Sequence, residues 1–326
     1  MIVNRRWVLG TGAALAWPQA ARAQTAGKTY RLGWLAGSLR SESYNLAFVQ
    51  RLAELGFVEG RNLVLEFRSV EGQPDRFPAL AAELAKLKCD AVFVPGSERG
   101  LKTFKQASND ATPIIIVAND YDPLLAGHVA SLARPGGRIT GVSMLQTELT
   151  AKRLQVLKEM LPKVRRVGVL ADQDNIAQLT VTRATAAQLG LELVVHQFAA
   201  APYDYAAAFA TFTAGKAEAL LALGSSFFVP ARKLIPELAL RHKLPSLFQN
   251  GLWADSGGLM SYGPNFSASY RRAAEQTAKV LGGAKPADLP LEQSSEIEMV
   301  INLKTAKALG VAVPQALRLR ADRMID

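Results

Sequence analysis

The sequence predicts an α/β protein made of two doubly wound, parallel-sheet lobes. Three observations predict it. Short apolar runs alternate with amphipathic helical stretches along most of the chain. The runs are apolar at both parities, as in strands covered on both faces. One corner also occurs twice, reading AVFVPGSERGLKTFK from Ala91 and ALLALGSSFFVPARK from Ala219. Each copy is an apolar run, a Gly-Ser pair and a helix start.

The first 23 residues are read as a leader rather than as part of the fold. MIVNRRWVLGTGAALAWPQAARA has a basic start, an apolar stretch from Trp7 to Trp17, and Ala21-Arg22-Ala23 as a small-residue cleavage site. This is the pattern of a signal peptide, too short and wrongly flanked for a membrane span. Cleavage is expected after Ala23, and the Arg5-Arg6 pair is also compatible with a twin-arginine export signal. A periplasmic product is expected.

Strands are expected at 30–36, 62–67, 90–95 and 113–118, then at 166–171, 191–198, 218–223 and 245–249. Between them, RFPALAAELAKL aligns Phe77, Leu80, Ala81, Leu84 and Leu87 on one helical face. FSASYRRAAEQTAKVLGG does the same with Phe266, Tyr270, Ala273, Thr277 and Val280. Pro135-Gly136-Gly137 breaks the pattern between the two sets, and the glycine-rich stretch NGLWADSGGLMSYGPN breaks it again. The expected division is residues 28–142 with 258–291 for one lobe, and 143–257 with 292–326 for the other.

Composition narrows the function classes. The net charge is +10, but Arg5, Arg6 and Arg22 lie in the acid-free leader, and without it the balance is +7 (35 basic, 28 acidic). Basic runs with interleaved aromatics are missing, so no nucleic acid is expected as partner. Cys89 is the only cysteine, which rules out an internal disulfide and reads as a structural thiol. His128, His196 and His242 are scattered singly, so neither metal nor cofactor is expected. The sequence carries no G-x-S-x-G elbow or phosphate-binding loop, and a two-lobe α/β enzyme is the weaker alternative.

In doubly wound sheets, ligands bind off the carboxyl ends of the strands, where helix N-termini offer N–H groups. The candidate residues all sit at such corners: Ser38 after the first strand, Ser97 after the third, and Asp122 after the fourth. Asp174 and Asn175 follow the first strand of the second set, Ser225 and Phe227 follow its third, and Gln249 its fourth. Ser97 and Ser225 read also as helix N-caps, Ser38 as an added donor, and Asp122 as an N-cap or as the partner of a ligand ammonium. Trp34 is read as core or as a stacking wall, and Phe228 as a neighbour of the second-lobe corner.

The mature chain also resembles, nearly end to end, a family of bacterial ABC-transporter substrate-binding proteins, some of which bind aromatic amino acids. The resemblance rests on LAELGFVEGRNLVLEFR, DRFPALAAELAKLKCDAVFV, GHVASLARPGGRITGVS, GGLMSYGPN, YRRAAEQTAKVLGGAKPADLPLEQ and INLKTAKALGVAVPQAL, in that order. It implies a type I periplasmic binding fold, two lobes joined by three crossing segments, and delivery of a small-molecule ligand to an ABC permease. It further implies that Ser97, Asp122 and the Asp174-Asn175 loop contact the ligand. Glu98-Arg99 and Ser225-Ser226-Phe227-Phe228 depart from the family pattern. The expectation is a monomer holding an amino acid, aromatic or branched, with its carboxylate at the Ser97 helix start and its ammonium at Asp122. A ligand-sensing module docking on a membrane receptor is the alternative that keeps the same fold.

Overall fold

Apolar runs that do not alternate become the centre of each sheet. A computed structural model of the protein describes residues 27–108 and 111–326; the expected leader, 1–23, lies outside them. The chain opens with β1 (Tyr30–Ala36), α1 (Ser43–Glu54), β2 (Leu63–Ser69), α2 (Phe77–Lys86), β3 (Ala91–Gly96), α3 (Glu98–Ala107), β4 (Ile114–Ala118) and β5 (Ile139–Ser143). A second series follows: α4 (Gln146–Met160), β6 (Arg166–Asp172), α5 (Ile176–Leu189), β7 (Glu192–Phe198), α6 (Tyr205–Ala214), β8 (Ala219–Ala222), α7 (Leu234–Arg241), β9 (Ser246–Phe248), α8 (Gly251–Asp255) and β10 (Met260–Pro264). The chain ends with α9 (Phe266–Leu281), β11 (Leu291–Gln293), β12 (Ile297–Asn302), α10 (Leu303–Leu309), α11 (Gln315–Arg320) and β13 (Arg323–Ile325).

The first sheet runs β2-β1-β3-β4-β5-β11, all parallel, and the second runs β7-β6-β8-β9-β10-β12-β13. The first five strands of both series therefore take the same 2-1-3-4-5 order. This explains the repeated corner: Gly96-Ser97 ends the third strand of one sheet, and Gly224-Ser225 ends the third strand of the other. In the second sheet β12 pairs antiparallel with β10. Strands β3, β4 and β5 are buried at every position, whereas the edge strands β2 and β7 are mostly half-exposed.

The first sheet is covered by α1 and α9 on one face and by α2 and α3 on the other. The expected helical faces are the packed ones: Phe77, Ala81 and Leu84 are buried on α2, and Phe266, Tyr270, Ala273, Thr277 and Val280 on α9. Trp34 is core, fully buried with Phe48, Phe67 and Phe93 at ring-centre distances of 5.0–5.2 Å. It is no stacking wall. Cys89 is half-buried, and burial pushes its thiol up to about 11, so the group stays protonated and unreactive.

The chain passes between sheets three times, from β5 to α4, from β10 to α9, and from β11 to β12. The middle crossing corrects the expected division at residue 258. Met260–Pro264 pairs with both β9 and β12, so it belongs to the second sheet, and the crossing falls at Asn265. Gly257-Gly258 before MSYGP and Gly263 within it disguised a short buried strand as an irregular connection.

Candidate functional site

The carboxyl ends of the two sheets meet in a seam, and the residues lining it come from the strand ends. On the first lobe, Gly96 closes β3 with φ +100°. A Cβ there would stand 2.8 Å from Ser226 Oγ of the second lobe, and one on Gly37, after β1, would stand 3.5 Å from Ser226 Cβ. The turn after β8 is thus seated between two glycine corners. Ser226 Oγ accepts a hydrogen bond from Asn119 Nδ2 at 3.2 Å. Other ties cross the seam: Arg99 to Asp174 at 3.2 Å, and Arg232 to Glu42. Phe227 leaves its own lobe to join the apolar cluster of α2 and α3, 6.4 Å from the Phe77 ring, with the Arg99 guanidinium 5.8 Å from its own ring centre.

Between these contacts lies a cavity of about 20 Å³, lined by Gly37, Ser38, Tyr44, Asn119, Ser226 and Tyr270 among others. That is room for roughly one water molecule. Its aromatic wall is continuous, because the Tyr44 ring lies 4.7 Å from Tyr270 and 5.6 Å from Phe266.

Carboxylates dominate the electrostatics of the seam. Asp120, two residues past the end of β4, is buried; its Oδ1 accepts from the Glu98 backbone N–H at 3.1 Å, while Oδ2 has no hydrogen-bond partner. Burial pushes its pKa well above the carboxylate range, and Asp172 and Asp174 across the seam push it further. Burial raises Asp172 to about 6, against the opposing hydrogen bonds from Ser225 and the Asp174 backbone. Arg99 pairs with Asp174 and opposes the rise of Asp172.

The sequence-predicted residues fall into different roles. Ser38 lines the cavity and accepts from Asn45 Nδ2 at 3.2 Å. Ser97 is buried and caps α3, its Oγ accepting from Gly100 N–H at 3.3 Å. With Glu98 N–H taken by Asp120, that helix start has little left for an anion. Asp122 accepts from the N–H groups of Leu124 and Leu125 at 2.7 and 3.1 Å in an exposed turn; Asp120, two residues earlier, holds the buried position. Asp174 pairs with Arg99 through Oδ1, and its Oδ2, like that of Asp120, is buried without a partner. Asn175 bridges Asp172 N–H and the Gly224 carbonyl, and Ser225 donates to Asp172, so both brace their own lobe. Phe227 packs into the opposite lobe, and Phe228 lies in the core of its own. Gln249, at the end of β9, is buried with Oε1 lacking a partner.

Sequence reasoning passed over Asn119, Asp120, Gln146, Arg153 and Ser226. Two signals were there. Asn119-Asp120 are the first polar residues after an unbroken apolar strand, the position nearest the sheet edge. Arg153 places a charge on the buried face of α4, in line with Gln146 and Thr150. Among the described residues no group of three or more His, Cys, Asp and Glu is arranged to hold a metal, and no helix is long and apolar enough to cross a membrane.

With this geometry in place, comparison with known proteins is informative. A family model described as ABC transporter substrate binding protein matches residues 44–325. A tyrosine-binding protein of Clostridioides difficile is 25% identical over 270 residues, 81% of this chain and 75% of that protein. Among solved structures, a conserved domain protein from Vibrio cholerae superposes with a TM-score of 0.83 at 23% identity, covering 91% of this chain and all of the other. A Streptococcus protein in complex with L-Trp gives 0.81 at 23% identity, with the same coverage. The ligand-free, open structure of a Clostridium difficile substrate-binding protein with adhesive properties gives 0.62 at 21%, over 91% of this chain and 99% of the other. These likenesses establish the two-lobed fold.

Proposed function

Because the chain belongs to the family of ABC transporter substrate-binding proteins, we propose that it captures an amino acid with an aromatic side chain in the seam and delivers it to an ABC permease. The observation that carries this reading is the Asp120 carboxyl, buried at the seam with one oxygen unpartnered. A buried carboxyl without a partner is costly in a folded protein, and a ligand ammonium would repay it with a charge-assisted hydrogen bond. The aromatic wall of Tyr44, Phe266 and Tyr270 supplies the surface for a ring. A tyrosine-binding relative and a neighbour holding L-Trp support the same class.

The cavity is far smaller than the roughly 300 Å³ at which ordinary ligand sites begin. The Ser226–Ala231 turn therefore withdraws from the Gly37 and Gly96 corners to admit ligand. Binding then acts by population shift: ligand bridges the lobes and stabilises a closed form that the permease recognises. In this reading the protein performs no chemistry and acts as a monomer. The signal-peptide pattern of the first 23 residues supports a location outside the cytoplasm, in the periplasm.

The test is a thermal-shift screen of protein freed of carried-over ligand by unfolding and refolding. At 100 times its dissociation constant, tyrosine or tryptophan should stabilise the fold by about 2.7 kcal/mol. Asp120→Asn should weaken that binding ten- to a hundredfold, the usual range for a hydrogen bond to a charged group, while Asp122→Asn should leave it unchanged. A melting temperature indifferent to every amino acid overturns the reading.

A further inference from the structure

Arg153 lies on the second turn of α4 and is fully buried. All its partners are neutral. Nε donates to the Tyr262 carbonyl at 2.8 Å, Nη1 to the Gln146 carbonyl at 3.4 Å and Thr150 Oγ1 at 3.5 Å, and Nη2 to Gln146 Oε1. No carboxylate pairs with it among the described residues. Burial pulls the guanidinium down to about 9, the mark of a charge taken from water with no anion in return. A fold seldom keeps such a group for packing alone.

What Arg153 does is fix a direction. A guanidinium has only donors, so the Gln146 oxygen must face it and the Gln146 amide nitrogen must face away. That nitrogen donates to Asn119 Oδ1 at 3.4 Å. With its oxygen engaged, Asn119 turns Nδ2 outward to Ser226 Oγ at 3.2 Å, on the cavity wall. Each link donates toward the seam. The neighbouring amide, Gln178, cannot compete, because both its ends are held by the Gly224 backbone at 2.9 Å.

We propose that Arg153 sets the polarity of this relay, so that Gln146 holds the Asn119 oxygen and Asn119 presents its N–H donors to the carboxylate of the bound amino acid. Asp120, the residue after Asn119, then receives the ammonium, and consecutive residues at the end of β4 read the two ends of a zwitterion. This rests on the amino-acid reading and reverses the sequence-based orientation, which put the carboxylate at the Ser97 helix start. Arg153 is a positioning residue in this scheme and touches no ligand.

The experiment compares L-tyrosine and L-tryptophan with tyramine and tryptamine, which lack the carboxylate, by calorimetry. The wild type should prefer each amino acid over its amine. Gln146→Glu gives Arg153 a carboxylate and removes the donor to Asn119, freeing that amide to turn its oxygen to the cavity. The fold should hold, amino-acid affinity should fall ten- to a hundredfold, and amine affinity should stay within a few fold. Arg153→Lys, still a donor only, should keep the preference, and Arg153→Met should lose it. Because the preference is a ratio measured on one protein, partial misfolding of a variant does not mimic the result. An unchanged ratio in both Gln146→Glu and Arg153→Met overturns the proposal, as does a wild type that binds the amines equally well. If the wild type instead binds only carboxylates that are not amino acids, and Gln146→Glu weakens them, the relay stands and the amino-acid reading falls. Binding of no carboxylate overturns both.

Discussion

Gly96 holds a backbone angle of +100° and faces Ser226 across the seam, so two separate constraints act on one position. Gly96→Ala should meet both: a left-handed-side φ disfavoured by about 1–2 kcal/mol for a residue with Cβ, and a clash with Ser226 Oγ that exists only when the lobes are closed. The expected outcome is a modest loss in unfolding free energy and a larger loss in ligand affinity. Ser226→Ala in the same background should restore part of the affinity and none of the unfolding free energy. Equal recovery of both would show that the seam contact has no separate role. The neighbouring acids show what a sequence exposes at this scale. Asp122 was visible because Asp-Pro announces a turn, and it does form one. Asp120 carries only the faint signature of a polar residue following an apolar strand, since its importance comes from Asp172 and Asp174 on another lobe, brought near only by the fold.

The turn Ser226–Ala231, between β8 and α7, belongs by chain to the second lobe and by packing partly to the first. Phe227 is its anchor. Truncating a buried Phe costs about 3–5 kcal/mol in an ordinary core; here part of that falls on closure instead. Phe227→Ala should therefore leave most of the fold's stability intact, raise the dissociation constant of ligand by at least tenfold, and enlarge the ligand-free radius of gyration in X-ray scattering. A variant that melts far lower yet binds normally would place Phe227 in the static core. The same element explains the limits of sequence reading. Apolar runs made eight strands legible, β1–β4 and β6–β9, the central ones because burial on both faces is written in composition and the edge strands β2 and β7 through their β-branched and apolar residues. β5 and β10 were hidden: ITGVS and MSYGP carry glycines and small polar residues, and they are strands because their neighbours supply the ladder. A residue such as Phe227, whose pocket is made by another lobe, leaves no periodic trace at all.

At the scale of the whole molecule, the seam gathers three carboxyls, Asp120 from one lobe and Asp172 and Asp174 from the other, with Arg99 paired to Asp174. Asp172 is raised to about 6 from an ordinary 3.8, so the folded form holds its proton more tightly than the unfolded chain does. The stability this contributes is fully present below about pH 4 and is lost as pH rises through about 6. A shift of that size corresponds to about 3 kcal/mol. His128 and His196 act in the opposite sense, because burial lowers their pKa values and stability from them grows as pH rises. The measurement must therefore be a difference. Urea unfolding of wild type and Asp172→Asn at pH 4.5 and pH 6.5 should show the wild type losing more stability, or gaining less, over that interval than the variant. Parallel pH profiles would mean that Asp172 titrates as an ordinary carboxyl, and that the acids of the seam relax apart before they need a proton. A steeper profile in the wild type would mean that closing the empty protein takes up protons. A ligand ammonium would then displace a proton as it binds, so tyrosine affinity should rise with pH across the same window.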